Sequence, residues 1–139
     1  MLSAITVQTN IKASVDSCWQ TFTSAADILQ FNNPFPNWHT ARVAIDFKEG
    51  GRFFYRMETK DGTEGFDFAG SYQRIIPLQR IELKGDDGRL TIHAFTGDGN
   101  STTLTETFEP DAETPLSLQQ SFCQNLLNSF KQYIEEKLI

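Results

Sequence analysis

Residues 116–138 read LSLQQSFCQNLLNSFKQYIEEKL, and this stretch decides the fold. At about 100° per residue, Leu118, Phe122, Cys123, Leu126, Leu127, Phe130, Tyr133, Ile134 and Leu138 share an arc of roughly 160°. Gln120, Gln124, Asn128, Lys131, Gln132 and Glu135 take the other side. Pro115 and Ser117 mark a start, and no Gly or Pro interrupts the run, so the spacing predicts one helix of about six turns. An apolar face this wide requires a broad partner surface.

The upstream chain reads mainly as strands that supply that surface. Ala4 to Ala13 alternates, with Ile5, Val7, Thr9 and Ile11 on one side. Ser14 or Asp16 then caps a helix with apolar positions Val15, Cys18, Trp19, Phe22, Ile28 and Leu29. Phe31 to His39 is too rich in Pro and Asn for a regular element; its aromatics Phe31, Phe35 and Trp38 either fold back onto the core or rim a binding site. Five further inward rows follow: Val43-Ile45-Phe47, Phe53-Tyr55-Met57, Phe66-Phe68-Gly70-Tyr72, Ile81-Leu83, and Leu90-Ile92 with His93 outside. A last strand, Thr102 to Phe108, precedes the linker Pro110 to Pro115. Glu49-Gly50-Gly51, Lys60-Asp61-Gly62 and Gly97-Asp98-Gly99-Asn100 are hairpin turns, and short turns between consecutive strands force antiparallel pairing. The expectation is an α+β fold in one domain, 1–139: a curved antiparallel sheet wrapped round a long C-terminal helix.

Bulk properties narrow the function. A formal charge of −6 and a pI near 4.8 argue against nucleic acid as a partner, because phosphate binding rests on Lys and Arg. Twelve Phe in 139 residues either fill a thick core or line an apolar hollow. No run of eighteen apolar residues exists, so no membrane span is expected, and residues 1–7 lack the basic segment and apolar run of a secretory signal. The expected location is cytoplasmic, with Cys18 and Cys123 as buried free thiols.

Two segments carry a resemblance. Asp46-Phe47-Lys48-Glu49-Gly50-Gly51-Arg52-Phe53-Phe54-Tyr55-Arg56-Met57 resembles the Asp-x-x-x-Gly-Gly-x-Phe-x-x-x-Met stretch of the SRPBCC superfamily. Gly70 to Ile81 is similar to its Gly-x-Tyr-x-x-Ile-x-Pro-x-x-Arg-Ile segment. Within the superfamily the match is to the branch named for activators of the ninety-kilodalton heat-shock chaperone ATPase, and it runs over nearly the whole chain. The resemblance implies a helix-grip fold, START-like and birch-pollen-allergen-like, with a hydrophobic cavity between sheet and terminal helix that often takes apolar ligands. Ser121-Phe122 stands where the branch usually has Gly-Trp, which keeps the apolar plug but removes the indole donor.

Candidate chemistry is sparse. His39 and His93 are the only histidines, with no Cys or His cluster around them, so no metal and no cofactor are expected. No complete catalytic set is legible. Glu106 shares parity with Leu104 and Phe108 and is the leading candidate acid or base, with Tyr55 or Tyr72 beside it: turned inward it enters the hollow and acts or pairs with an Arg, turned outward it is solvated. Gln119 lies in the apolar arc and either bonds a ligand or satisfies local backbone. The expected ligand-binding set is Trp38, Phe53, Tyr55, Met57, Phe68, Tyr72, Ile92, Glu106, Phe122, Cys123, Leu126 and Phe130. Three functions compete. The first is binding of a small hydrophobic or aromatic molecule. The second is a cyclase-like or dehydratase-like enzyme on an aromatic or polyketide-like substrate. The third is a regulatory partner of a protein such as a chaperone. The chain is expected to be a monomer, or a homodimer through an exposed strand edge.

Overall fold

Alternating side chains build a seven-stranded antiparallel sheet in the computed structural model, which describes residues 3–137. The strands are β1 (Ile5–Ile11), β2 (Trp38–Ile45), β3 (Arg52–Thr59), β4 (Gly65–Ile76), β5 (Arg80–Gly85), β6 (Leu90–Asp98) and β7 (Ser101–Phe108). Their order across the sheet is β1-β7-β6-β5-β4-β3-β2, so each neighbour from β2 to β7 follows in sequence. Bulges between Thr40 and Arg42 and between Tyr72 and Arg74 bend the strands, and the sheet curls into a half-barrel. Helix α3 (Leu116–Lys137) lies within the curl, packed on β1, which gives the expected helix-grip architecture. Leu138, the last position of the apolar arc, falls outside the described residues.

One helix was expected between β1 and β2, and two are present: α1 (Val15–Phe22) and α2 (Ala25–Phe31). Each has its own serine cap. Ser14 accepts from the Ser17 N–H and Ser24 from the Asp27 N–H. The second cap restarts the helix in a new direction and leaves Leu29 exposed, where a single continuous helix would have buried it. Trp38 and His39, expected in a loop, open β2; Asn32 fixes the join by donating to Thr40 Oγ1 at 3.1 Å.

The two glycine-bearing motifs are close approaches of backbone. A Cβ on Gly51 would sit 1.9 Å from the Asp46 carbonyl oxygen, and one on Gly70 would meet the Lys84 oxygen at 2.1 Å and the Phe53 ring at 2.8 Å. A side chain at Gly51 would break the turn from β2 into β3, and one at Gly70 would force β4 away from β5 and from the Phe53 ring.

The core is aromatic. Phe22, Phe31 and Phe130 form a triangle with centroid separations of 5.9, 5.1 and 4.8 Å, and Trp19 meets Phe95 edge-on at 5.2 Å. Such rings each contribute on the order of 1.5–3 kcal/mol by burial. This cluster seats the C-terminal half of α3, whereas the N-terminal half is tied to β1 by Gln124 Nε2 donating to the Gln8 carbonyl at 2.9 Å and spans open space over the strands beyond.

Candidate functional site

Under that N-terminal half lies a cavity of about 460 Å³. Phe122, Cys123 and Leu126 form its roof from α3. The floor comes from inward parities of consecutive strands: Tyr55 and Met57 on β3, Phe68 and Tyr72 on β4, Ile81 and Leu83 on β5. His93 on β6 with Glu106 and Phe108 on β7 complete the far wall, and Phe22 and Phe31 close the back. Phe66 and Leu118 stand at the mouth, both substantially exposed.

Eight of the twelve expected residues line this space: Tyr55, Met57, Phe68, Tyr72, Glu106, Phe122, Cys123 and Leu126. Four do not. Trp38 sits outside the wall against Phe66, with ring centroids 5.9 Å apart. Phe53 is buried beneath the floor, touching Phe68 and Tyr72 at 5.0 and 5.6 Å. Phe130 belongs to the solid aromatic cluster. Ile92 is on the wrong face of β6: the row turned to the cavity is Thr91, His93 and Phe95, because Phe95 packs on Trp19 and Phe22. Strand alternation then carries Ile92 outward and His93 inward, against the expectation that put His93 outside.

Glu106 points inward. It lies directly opposite His93 in the β6–β7 ladder, and its Oε1 is 2.9 Å from His93 Nε2. The His93 Nδ1 atom is buried without a hydrogen-bond partner among the described residues, and the Phe22 ring packs edge-on to the imidazole at 4.9 Å. Around this pair the wall is weakly polar. Burial pushes the Tyr55 hydroxyl well above the ordinary phenol range, and the nearby Tyr72 and Glu106 add to it. Burial alone raises Tyr72. The Cys123 thiol is likewise driven up, first by burial and then by the facing Glu106 carboxylate, which disfavours its thiolate form.

Gln119 resolves to its local role. Its Oε1 accepts from the Asp111 N–H at 2.9 Å, and its Nε2 donates to the Asp111 and Thr114 carbonyls at 3.1 and 2.8 Å. It thereby staples the 110–115 linker to the start of α3. Arg89 is the one Lys or Arg side chain along the cavity wall, and it is held at the mouth by Asp87 at 2.7 Å. Both cysteines are free, Cys18 fully buried and Cys123 half-buried. Among the described residues no group of three or more His, Cys, Asp or Glu is placed to hold a metal ion, and no helix is long and apolar enough to cross a membrane.

What sequence reasoning missed is His93. The signal was present: Phe95, the bulkiest apolar residue of β6, shares its parity, and a large aromatic outweighs Leu90 and Ile92 in deciding which face is buried.

Comparison with known proteins agrees with this architecture. A solved structure of an AHSA1-like protein from Aeromonas hydrophila is 30% identical, covers 96% of this chain and 93% of its own, and superposes with a TM-score of 0.88. A protein from Cytophaga hutchinsonii is 37% identical over 96% of this chain and 93% of its own, with a TM-score of 0.81. A Nitrosomonas europaea protein at 13% identity and a TM-score of 0.83, covering 98% of this chain and 96% of its own, shares the fold. No curated protein matches. The family model described as activator of Hsp90 ATPase homolog 1-like protein matches residues 12–135, nearly the whole sheet and most of α3. The chain belongs to that family, within the SRPBCC superfamily.

Proposed function

We propose that the protein binds a small hydrophobic or aromatic molecule in the cavity between α3 and the sheet. The observation that carries this reading is the cavity itself. It holds about 460 Å³ and is walled chiefly by Phe, Tyr, Leu, Ile and Met, with His93 and Glu106 set into one wall and further polar residues, among them Asp87, Arg89 and Glu109, also lining it. Ligand pockets have this size and this composition. A packed interior closes space of this kind unless something else fills it.

A thermal-shift screen against flavonoids, sterols, fatty acids and polyketide mimics tests it. A ligand at about a hundred times its dissociation constant adds roughly 2.7 kcal/mol to the native state. For a domain of this size that raises the melting midpoint by several degrees. Leu126→Trp fills the roof and is expected to abolish the shift while leaving the far-UV spectrum unchanged. A panel without a single hit overturns the reading.

A second reading draws on the mouth. Leu118 and Phe66 are exposed there, and apolar side chains in water favour contact with a protein partner such as a chaperone. A partner captured equally well by wild type and Leu126→Trp would support that reading over a cavity ligand.

A further inference from the structure

We infer that Glu106, held by His93, is a hydrogen-bonding anchor that selects neutral ligands carrying a hydroxyl donor, such as a phenol on an aromatic frame, over ligands carrying a carboxylate. The inference rests on the cavity-binding reading and adds the ligand's polar chemistry to it.

Glu106 is 7% exposed and His93 9%, so water cannot satisfy them freely. With the proton on Nε2, His93 donates to Glu106, and its sealed Nδ1 is a bare lone pair. The opposite tautomer would strand an N–H there, which costs more. In this arrangement the carboxylate is the acceptor, and one hydrogen bond uses only part of its capacity, since two oxygens offer about four sites. Its other polar neighbour on the cavity wall is the Cys123 thiol, a weak donor. The remaining acceptor capacity faces the cavity.

The surroundings decide which donor fits. Tyr55 and Tyr72 line the same space, and neither hydroxyl is hydrogen-bonded to another side chain or to backbone among the described residues. Each can donate to a ligand oxygen while that oxygen's own proton goes to Glu106. No Lys or Arg reaches the depth of the wall, because Arg89 is tied at the mouth to Asp87 and to the Glu109 carbonyl. A carboxylate ligand would bring a second negative charge against Glu106 in a low-dielectric space, where the nearest guanidinium, Arg89, is already paired with Asp87. A hydroxyl brings a proton and no charge.

The test is isothermal titration of the intact protein with 2-naphthol, 2-methoxynaphthalene and 2-naphthoate. These share one apolar frame and differ in the polar group. Naphthol is expected to bind at least about tenfold tighter than either of the others, the margin of one charge-assisted hydrogen bond. That margin over the methyl ether is expected to vanish in the double variant His93→Leu/Glu106→Leu, which strands neither partner. The wild-type comparison stands by itself if the variant fails to fold. Equal affinities for the three compounds overturn the anchor and leave the cavity-binding reading intact. Tighter binding of naphthoate overturns it in favour of Arg89. No binding by any of them also overturns it, and the wider panel then decides the cavity reading separately.

Discussion

Along α3, Leu127, Phe130 and Ile134 are sealed, whereas Leu118 is 49% exposed and Phe122, Cys123 and Leu126 stand over open space. Both halves carry apolar residues at the same helical spacing. The difference comes from what approaches them. Helices α1 and α2 bring Phe22 and Phe31 under the C-terminal half, and their rings reach Phe130. Under the N-terminal half the rings that approach are Phe35 and Phe66, which meet Phe122 from the side at 6.0 Å and leave the space between α3 and the strands β3 to β7 open. One amphipathic pattern thus serves as a packed anchor at one end and a cavity roof at the other. The α1–α2 pair is the wedge that makes the two ends unequal.

The largest expected effect follows directly. Phe130→Ala removes a fully buried ring from the three-ring cluster and is expected to cost about 3–5 kcal/mol. At about 3 °C per kcal/mol, the melting midpoint falls by roughly 10 °C. Phe122→Ala cuts an equal number of atoms from a half-buried ring whose aromatic contacts, Phe35 and Phe66, lie at 6.0 Å, and is expected to cost less, about 1–2 kcal/mol. Urea unfolding of the two variants checks the pair. Equal losses would show that the cavity is closed in solution and that both halves pack alike.

The same contrast explains what was legible in the sequence. Strand parities from β1 to β5 could be read directly, because each has apolar residues on one face and polar residues on the other; β7 shows the same alternation, with Glu106 on its inward row. The hairpin glycines could be read because Gly50, Gly62 and Gly99 take φ of 83°, 76° and 64°, which only glycine adopts without cost. Periodicity does not report depth. It places Phe122 and Phe130 on one arc without saying that only Phe130 meets α1 and α2. It misassigned β6 because Leu90 and Ile92 outnumber Phe95, although the ring area of Phe95 decides the face. The split between α1 and α2 was obscured because apolar spacing runs on through it: Thr23 Oγ1 closes α1 on the Trp19 carbonyl at 2.7 Å, and Ser24 caps α2 by accepting from the Asp27 N–H. Family motifs located the tight glycines and were silent about the wall, where His93 and Glu106 meet across a ladder register that depends on the length of the Gly99-Asn100 turn.

An intermediate effect is expected at the cavity wall. His93→Leu leaves the Glu106 carboxylate buried without its donor, which costs about 1–3 kcal/mol. Replacing both, His93→Leu/Glu106→Leu, removes the orphan together with its partner, and the double variant is expected to be more stable than the single one. Chemical denaturation of the two single variants, the double variant and wild type completes the cycle. Additive losses would mean that the pair is already solvated through the cavity and that the wall is wetter than its burial implies.

The smallest effect belongs to the tie between α2 and α3 at the packed end. Asp27 Oδ1 accepts from Tyr133 Oη at 2.5 Å and from Lys137 Nζ at 3.1 Å, joining the two helices across the aromatic cluster. Burial alone would raise this carboxyl, but the hydrogen bonds from Tyr133, Lys137 and Ser24 outweigh it and hold it below the ordinary aspartate value. A carboxyl lowered on folding contributes stability that is present above its unfolded pKa, near 3.9, and lost as pH falls through the lower folded value. Asp27→Asn keeps an acceptor for Tyr133 and loses the charge facing Lys137, so about 1 kcal/mol is expected to disappear at pH 7. The gap between wild type and Asp27→Asn then narrows as the pH is taken from 5 toward 2.5, because the native carboxyl protonates and ceases to differ from the amide. Melting midpoints of both proteins across that range read the effect directly. A gap that stays constant would place the contribution of Asp27 in the start of α2, through the Ser24 cap, and would remove the α2–α3 tie from the reasons the two ends of α3 differ.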